Sequence, residues 1–116
     1  MKYMFLLWQN ESEMPAPGTP AFDKQVADFD TFYADATGNG AFQGGDPFQP
    51  SAAGETVRAR SGQTEASSGP LSKGPEQLIG YYVLDCKDDG DARAWAAKIP
   101  TASTGAIEVR PILNLG

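Results

Sequence analysis

A proline- and glycine-rich segment directly before the most apolar strand of the chain contains residues that could bind an acidic group. Within Ser67–Asp85, the residues Ser68, Gly69, Pro70 and Lys73 follow one another closely ahead of the apolar run. Glycine allows a close approach of the backbone and proline fixes the turn, so backbone amides, a serine hydroxyl and the lysine amine could surround an anion. The alternative interpretation is a purely structural turn into the strand.

Three arginines are further candidates for ligand binding. Arg58, Arg60 and Arg110 each alternate with apolar residues along the chain. A guanidinium group matches the oxygens of a carboxylate or phosphate, so these arginines could hold an anionic ligand. The alternative is an ion pair with Glu108, with Glu55 or with the partner subunit, and Glu108 shares the alternation of Arg110.

Aspartates and tyrosines are the candidates for proton transfer. Asp46 or Asp28 could act as a general base if burial raised its pKa, and the alternatives are a turn residue before Pro47 and a solvated helix face. Tyr81 and Tyr82 must point to opposite faces of a strand, so one hydroxyl could line a pocket. We name Asp46 as the catalytic candidate and Tyr82 as a ligand-binding candidate.

Composition limits the chemistry that these residues could perform. The chain has 116 residues, a formal net charge of −6, one cysteine and no histidine. Without histidine, the commonest proton carrier and transition-metal ligand is missing, so we expect neither a metal nor another cofactor. The lone Cys86 cannot form an internal disulfide, which favours a reducing, cytoplasmic compartment. Acidic charge argues against nucleic acid, and the apolar start Met1–Trp8 is too short to span a membrane.

The hydrophobic pattern predicts one domain, residues 1–116, with the order strand, helix, strand, strand, strand, helix, strand. Helices separated in this way prefer one face of an antiparallel sheet, which predicts an α+β fold, a ferredoxin-like sandwich. The predicted elements are the strands Lys2–Trp8, Ala41–Phe48, Glu55–Arg60, Ile79–Cys86 and Ala106–Ile112 and the helices that begin at Thr19-Pro20 and at Asp88.

The first strand is apolar on both faces, so both faces of the sheet need cover. Helices supply one cover, and a second copy packed sheet against sheet would supply the other. If the apolar residues of the alternating strands point to the helices, Arg58, Arg60, Glu108 and Arg110 lie on the face toward the second copy. We therefore expect a homodimer with a charged cluster near its interface.

Several short runs match one known family in order and spacing along nearly the whole chain. These runs are Lys2-Tyr3-Met4, Gly44–Pro50, Thr56-Val57-Arg58, Ser68-Gly69-Pro70-Leu71, Ser72–Tyr82, Trp95–Pro100 and Glu108–Ile112. Together they resemble the YCII-related family, and specifically its DGPF branch. The resemblance implies a ferredoxin-like subunit that forms a dimeric α/β barrel, with a pocket between the sheet and the DGPF loop.

The sequence also departs from the family pattern. Ser68 and Leu71 replace the Asp and Phe of the motif, and the helix histidine proposed as a proton carrier in the wider group has Asp28 near its position. Two functions therefore stay open. The first is a homodimeric binding or regulatory module that senses a small acidic molecule or a protein partner. The second is a metal-independent enzyme that acts on a small anionic or ring-containing substrate. In the second case, Asp46 or a tyrosine would transfer the proton.

Overall fold

The computed structural model of the chain describes residues 1–116, which form six strands and two α-helices. Short 3-10 turns at Glu11–Glu13, Ser51–Ala53 and Pro100–Ser103 connect some of them. The strands and helices in chain order are β1 Lys2–Asn10, α1 Pro20–Gly38, β2 Phe42–Pro47, β3 Glu55–Arg60, β4 Gln63–Ser68, β5 Glu76–Asp85, α2 Asp89–Lys98 and β6 Ala106–Pro111.

Four strands form the main sheet, in the antiparallel order β2-β5-β1-β6. With β3 and β4 set aside, this is the strand order of a ferredoxin-like fold, with a helix after the first and third strands. Side chains of both helices join those of β1 in one hydrophobic core. The predicted α+β, ferredoxin-like class is confirmed.

Both helices begin at the residues that the sequence indicates. The Thr19 hydroxyl accepts a hydrogen bond from the Phe22 amide at 3.2 Å, and Pro20 occupies the first turn, where its missing amide costs nothing. The Asp88 carboxylate caps α2 by accepting from the Asp91 amide at 2.8 Å. Local chemistry therefore fixes where each helix starts, and packing fixes the face that it buries.

The core lies between the helices and one face of β1. Tyr3, Phe5 and Leu7 alternate along this strand and are all buried. The rings of Phe32 in α1 and Trp95 in α2 meet edge to face, with centroids 6.0 Å apart. Burial of such large side chains is the main stabilising contribution to the fold.

The other face of the main sheet is also apolar and carries no helix. We call it the open face. Its half-buried apolar side chains are Met4, Leu6, Trp8, Leu78 and Val83. A bulge between Leu7 and Trp8 resets the register, so Trp8 pairs with Leu78 and keeps both residues on this face. The prediction that the first strand is apolar on both faces is confirmed.

Strands β3 and β4 form a separate two-stranded hairpin, which we call the hairpin arm (residues 55–68). The turn at its tip has Ser61 and Gly62 at φ of 52° and 75°, the left-handed geometry that suits a tight hairpin. The sequence pattern predicts β3 but not β4, because Gln63–Ser68 is polar and lacks apolar alternation. The expectation that Arg58 shares a sheet face with Arg110 is wrong, since β3 lies outside the main sheet.

The molecule is flat, with extents of 47 × 46 × 18 Å and a radius of gyration of 16.1 Å. A compact domain of this length has a radius of gyration of about 13 Å. The single sheet layer and the exposed hairpin arm account for the difference. The edge strands β2 and β6 each end in a proline, Pro47 and Pro111. No helix is long and apolar enough to cross a membrane.

Candidate functional site

A concavity of about 490 Å³ lies beside Pro70, where the open face meets the loops around the hairpin arm. We call it the loop pocket. Its apolar wall includes Trp8 and Leu78 from the main sheet and Phe48 at the end of β2. The remaining lining residues are Gln49, Pro50, Ser51, Ala53, Gly54, Glu55, Pro70, Leu71, Ser72 and Gln77.

Gln77 holds the segment between Pro70 and Pro75 in place. Its side chain is buried, and Nε2 donates to the carbonyl oxygens of Ser72 at 2.9 Å and Gly74 at 2.8 Å. A buried amide that satisfies two loop carbonyls fixes their positions, because losing either bond would leave a polar group unpaired. Gln77, near the start of β5, therefore holds this wall of the pocket in place.

Backbone bonds across the base of the hairpin arm hold Gly69. Its amide donates to the Gly54 carbonyl at 2.8 Å, and its own carbonyl accepts from the Thr56 hydroxyl at 3.0 Å. Gly69 has φ of 93°, which other residues rarely adopt. The backbone conformation at this position of the motif therefore favours glycine. Lys73 donates from Nζ to the Pro70 carbonyl at 3.0 Å.

The opposite wall depends on a contact between distant parts of the chain. The Glu11 carboxylate accepts from the Ser51 amide at 2.8 Å and also from the Ser51 hydroxyl. Glu11, Ser51 and Gln77 were not among the site residues predicted from the sequence. No local signal marks the first two, because 40 residues separate them. The one available signal for Gln77 was a polar residue at the start of an apolar strand.

The structure does not bring all the predicted ligand-binding residues together. Pro70 lines the loop pocket, and Ser68, Gly69 and Lys73 belong to the adjoining chain without lining it. Arg58 lies on the exposed hairpin arm.

Arg110 lies on the open face and has an acidic partner. Its guanidinium is 3.2 Å from the Glu108 carboxylate, which also accepts a hydrogen bond from Trp8 Nε1 at 3.0 Å. This is the ion pair that the sequence analysis gave as the alternative to an anion clamp. The glutamate thereby links the arginine to an aromatic ring of the loop pocket.

Asp46 and Tyr82 line a different cavity of about 500 Å³, between α1 and the β2–β5 edge of the main sheet. We call it the helix groove. The Tyr81 hydroxyl donates to Asp46 at 3.1 Å, and this hydrogen bond, with the charge of the carboxylate, raises the pKa of Tyr81. Burial, and then the nearby charge of Asp30, raises the pKa of Tyr82. Both phenols therefore keep their protons at neutral pH.

Asp28 lines a third, more polar cavity of about 660 Å³ on the other side of α1. It pairs with Lys24 one turn earlier, at 2.7 Å. The buried Gln9 also lines this cavity, and its Oε1 has no hydrogen-bond partner. Because Asp28 is exposed and paired on the helix surface, its environment matches the solvated face that the sequence analysis gave as the alternative.

Cys86 is buried, and burial raises the pKa of its thiol to about 11. A thiol with so high a pKa is protonated at neutral pH and is a poor nucleophile. No three His, Cys, Asp or Glu side chains cluster in a way that could hold a metal ion.

A helix-backed antiparallel sheet with a pocket at its end defines an α+β domain of ferredoxin-like topology. Comparison with known protein families matches residues 1–115 to the YCII-related domain. The chain therefore belongs to the YCII-related family.

A protein of Rhizobium meliloti (strain 1021), described only as uncharacterized, is 38% identical over 65 residues. The match covers 54% of this chain and 52% of that protein, so the chain spans about half the length of this relative. Assignment to the DGPF branch stays a prediction.

Proposed function

We propose that this YCII-related domain is a homodimeric small-molecule-binding module whose ligand occupies the loop pocket. The observation that carries this proposal is the apolar open face, which runs directly into the pocket through Trp8 and Leu78. One surface thereby supports both the pairing of two copies and the binding of a ligand.

The dimer follows from the need to cover the open face. Met4, Leu6 and Val83 lie half-buried on a sheet face that no helix covers. A sheet that is apolar on both faces is stable in water when a second layer covers the free side, and two sheets packed face to face lie about 10 Å apart. A second copy supplies such a layer with matching chemistry.

The pocket walls support the apolar part of the ligand, and Lys73 supports its charge. The Trp8 indole and Leu78 provide an apolar surface on which a ring can pack. Glu55, the one charged residue in the lining, repels an anion, so the acidic group of a ligand must lie closer to Lys73 than to Glu55. The exposed Lys73 ammonium would release its hydrogen bond to the Pro70 carbonyl and bind the acidic group of the ligand instead. We therefore propose a small ring-containing acid as the ligand.

The first experiment tests the dimer. Leu6→Lys places a charge on the open face and should convert the dimer to a monomer in size-exclusion chromatography with light scattering. Val57→Lys is the matched control, because Val57 is 59% exposed on the hairpin arm, away from the open face. A monomeric unmodified protein at micromolar concentration, or a Leu6→Lys variant that stays dimeric and folded by circular dichroism, would contradict the proposal.

The second experiment tests the ligand site. A bound ligand stabilises the native state in proportion to the logarithm of its concentration, so aromatic and short-chain acids are screened by thermal shift and by the Trp8 indole N–H signal in proton–nitrogen NMR. A binding acid should lose affinity in Lys73→Gln and keep it in Lys87→Gln, a charge-matched change at an exposed lysine elsewhere. If no acid in the screen shifts either signal, or if Lys87→Gln weakens binding as much as Lys73→Gln, the site assignment fails.

The hydrogen bond between Tyr81 and Asp46 favours a second candidate function, a metal-independent enzyme. A carboxylate that already accepts from a phenol at 3.1 Å is placed to share a proton with a substrate in the helix groove. Incubation of the protein with each bound ligand, followed by proton NMR, should then reveal a product that Asp46→Asn fails to form. Unchanged ligands in every incubation would remove this candidate.

A further inference from the structure

The helix groove has an apolar wall that is unusually open to solvent. Val26, Tyr33 and Phe48 line it and are 45%, 50% and 45% exposed. Deeper in the groove, the ring of Phe42 packs edge to face on Tyr33, with centroids 4.9 Å apart, and faces Tyr82 at 6.3 Å. Large apolar side chains that share one concavity mark a binding surface more strongly than the same residues scattered singly.

The charged residues around this wall are all acidic. Asp30 and Asp46 are the charged residues among those that line the groove, and no lysine or arginine is among them. Asp30 is close enough for its charge to add to the effect of burial in raising the pKa of Tyr82. A cation that enters the groove therefore meets two carboxylates and several aromatic faces, both of which attract positive charge.

We propose that the helix groove is a second ligand site, which binds a small amphipathic cation: an amine with one aromatic ring or a short alkyl chain. The apolar part packs against Val26, Phe42 and Phe48, and the ammonium lies toward Asp30 and Asp46. The volume of about 500 Å³ is within the range of small-molecule sites, about 300–1,000 Å³.

This site adjoins the loop pocket at Phe48, which lines both cavities, and it reaches the open face at Tyr81, which pairs with Leu6. Tyr82 belongs to the helix-side face of β5, opposite Phe5, whereas Trp8 and Leu78 lie on the open face. Val26, Asp30 and Tyr33 belong to α1, on the opposite side of the sheet, so pairing of two copies through the open face leaves this side of the groove accessible. The two sites also prefer opposite charges, so the binding of an amine here does not depend on the proposed function of the loop pocket.

The test uses three ligands that share a phenyl ring and a short chain: 2-phenylethylamine, 2-phenylethanol and phenylacetate. Titration is followed by proton–nitrogen NMR, with the amides of Val26, Phe29 and Gly45 reporting the groove and the Trp8 indole N–H reporting the loop pocket. The amine should shift the groove amides and bind about tenfold more tightly than the alcohol, while leaving the Trp8 signal in place.

Variants assign the charge preference to the groove. Asp30→Asn should weaken binding of 2-phenylethylamine by about threefold, and the matched control Asp23→Asn, on the same helix but outside the groove, should leave it unchanged. Val26→Lys places a cation at a position that is nearly half exposed and should abolish binding of the amine, with circular dichroism checking that the variant folds.

The proposal is overturned if 2-phenylethylamine does not bind, if the alcohol or phenylacetate binds as tightly, if the shifts map to Trp8, or if Asp30→Asn and Val26→Lys bind like the unmodified protein. If phenylacetate leaves the Trp8 signal unchanged in the same titrations, this result counts against an acid-binding loop pocket. It does not affect the amine site in the helix groove.

Discussion

The main sheet and the hairpin arm differ in what holds them together. In the main sheet, β1 is central, its side chains are buried on the helix side, and Phe5 has no exposed surface. In the hairpin arm, every residue of β3 and β4 is exposed except Thr56, which bonds to Gly69 beside the loop pocket. The main sheet therefore depends on hydrophobic burial, whereas the arm depends on its turn, its backbone pairing and its attachment at the base. Isolated two-stranded hairpins are marginally stable, so the arm should respond to changes locally.

The largest expected effect is a core truncation. Phe5→Ala should lower the free energy of unfolding by about 3–5 kcal/mol, because it removes a fully buried ring between the two helices and β1. Urea unfolding followed by circular dichroism measures the loss, and Val57→Ala on the arm is the control, with an expected change within about 0.5 kcal/mol. Equal losses in the two variants would mean that the arm contributes to the same core.

A smaller effect is expected at the junction of the two regions. Gln77→Ala removes the donor to the Ser72 and Gly74 carbonyls and should cost about 1–3 kcal/mol. Hydrogen exchange should accelerate in the segment from Leu71 to Gly74, and ligand affinity of the loop pocket should fall. Gln43→Ala, at an exposed position of β2, should do neither. Unchanged exchange in Gln77→Ala would show that the loop is held by other contacts.

The next effect appears only at alkaline pH. Burial raises the pKa of Cys86 from 9.0 to about 11 in the fold, so the native state keeps this proton while the unfolded chain releases it. The contribution of Cys86 to stability is therefore unchanged below about pH 9 and is lost as pH rises toward the folded pKa. Cys86→Ala should flatten this part of the stability curve. A decline of the same slope in Cys86→Ala would assign it to other groups, of which Tyr3, with its pKa raised to about 12 by its bond to Asp89, is the first candidate.

The smallest effect is expected at the tip of the arm. Ser61 adopts a positive φ of 52°, a conformation that is strained for most residues. Ser61→Gly should sharpen the NMR signals of β3 and β4 and change the global free energy of unfolding by no more than about 1 kcal/mol. A global stabilisation well above this value would indicate that the arm folds cooperatively with the main sheet.

The elements that are visible in the sequence are those whose cause is local. The Thr19-Pro20 start of α1, the two-sided β1 and the alternation of β6 depend on neighbouring residues, and all three appear in the structure. Strand β4 was missed because it has no apolar face to bury. The prediction that β3 belongs to the main sheet was wrong, since β3 pairs only with β4. Alternation shows that a strand has two faces, but it does not show which strand it pairs with.

The candidate sites were predictable only in part, for the same reason. Pro70 was identified as a pocket residue from its turn chemistry, and it lines the loop pocket. The Glu11–Ser51 contact joins residues that are far apart in sequence, and the helix groove combines α1, β2 and β5. Such sites depend on tertiary packing, which a reading of local patterns cannot supply.

The prolines that end both edge strands restrict how this sheet can grow. Pro47 and Pro111 offer no amide hydrogen, so a further chain that tried to extend the sheet sideways would lose a donor at either border. Open-ended fibre formation by strand addition is thereby discouraged. The proposed pairing through the open face, in contrast, uses the one uncovered face of each copy and therefore stops at two copies.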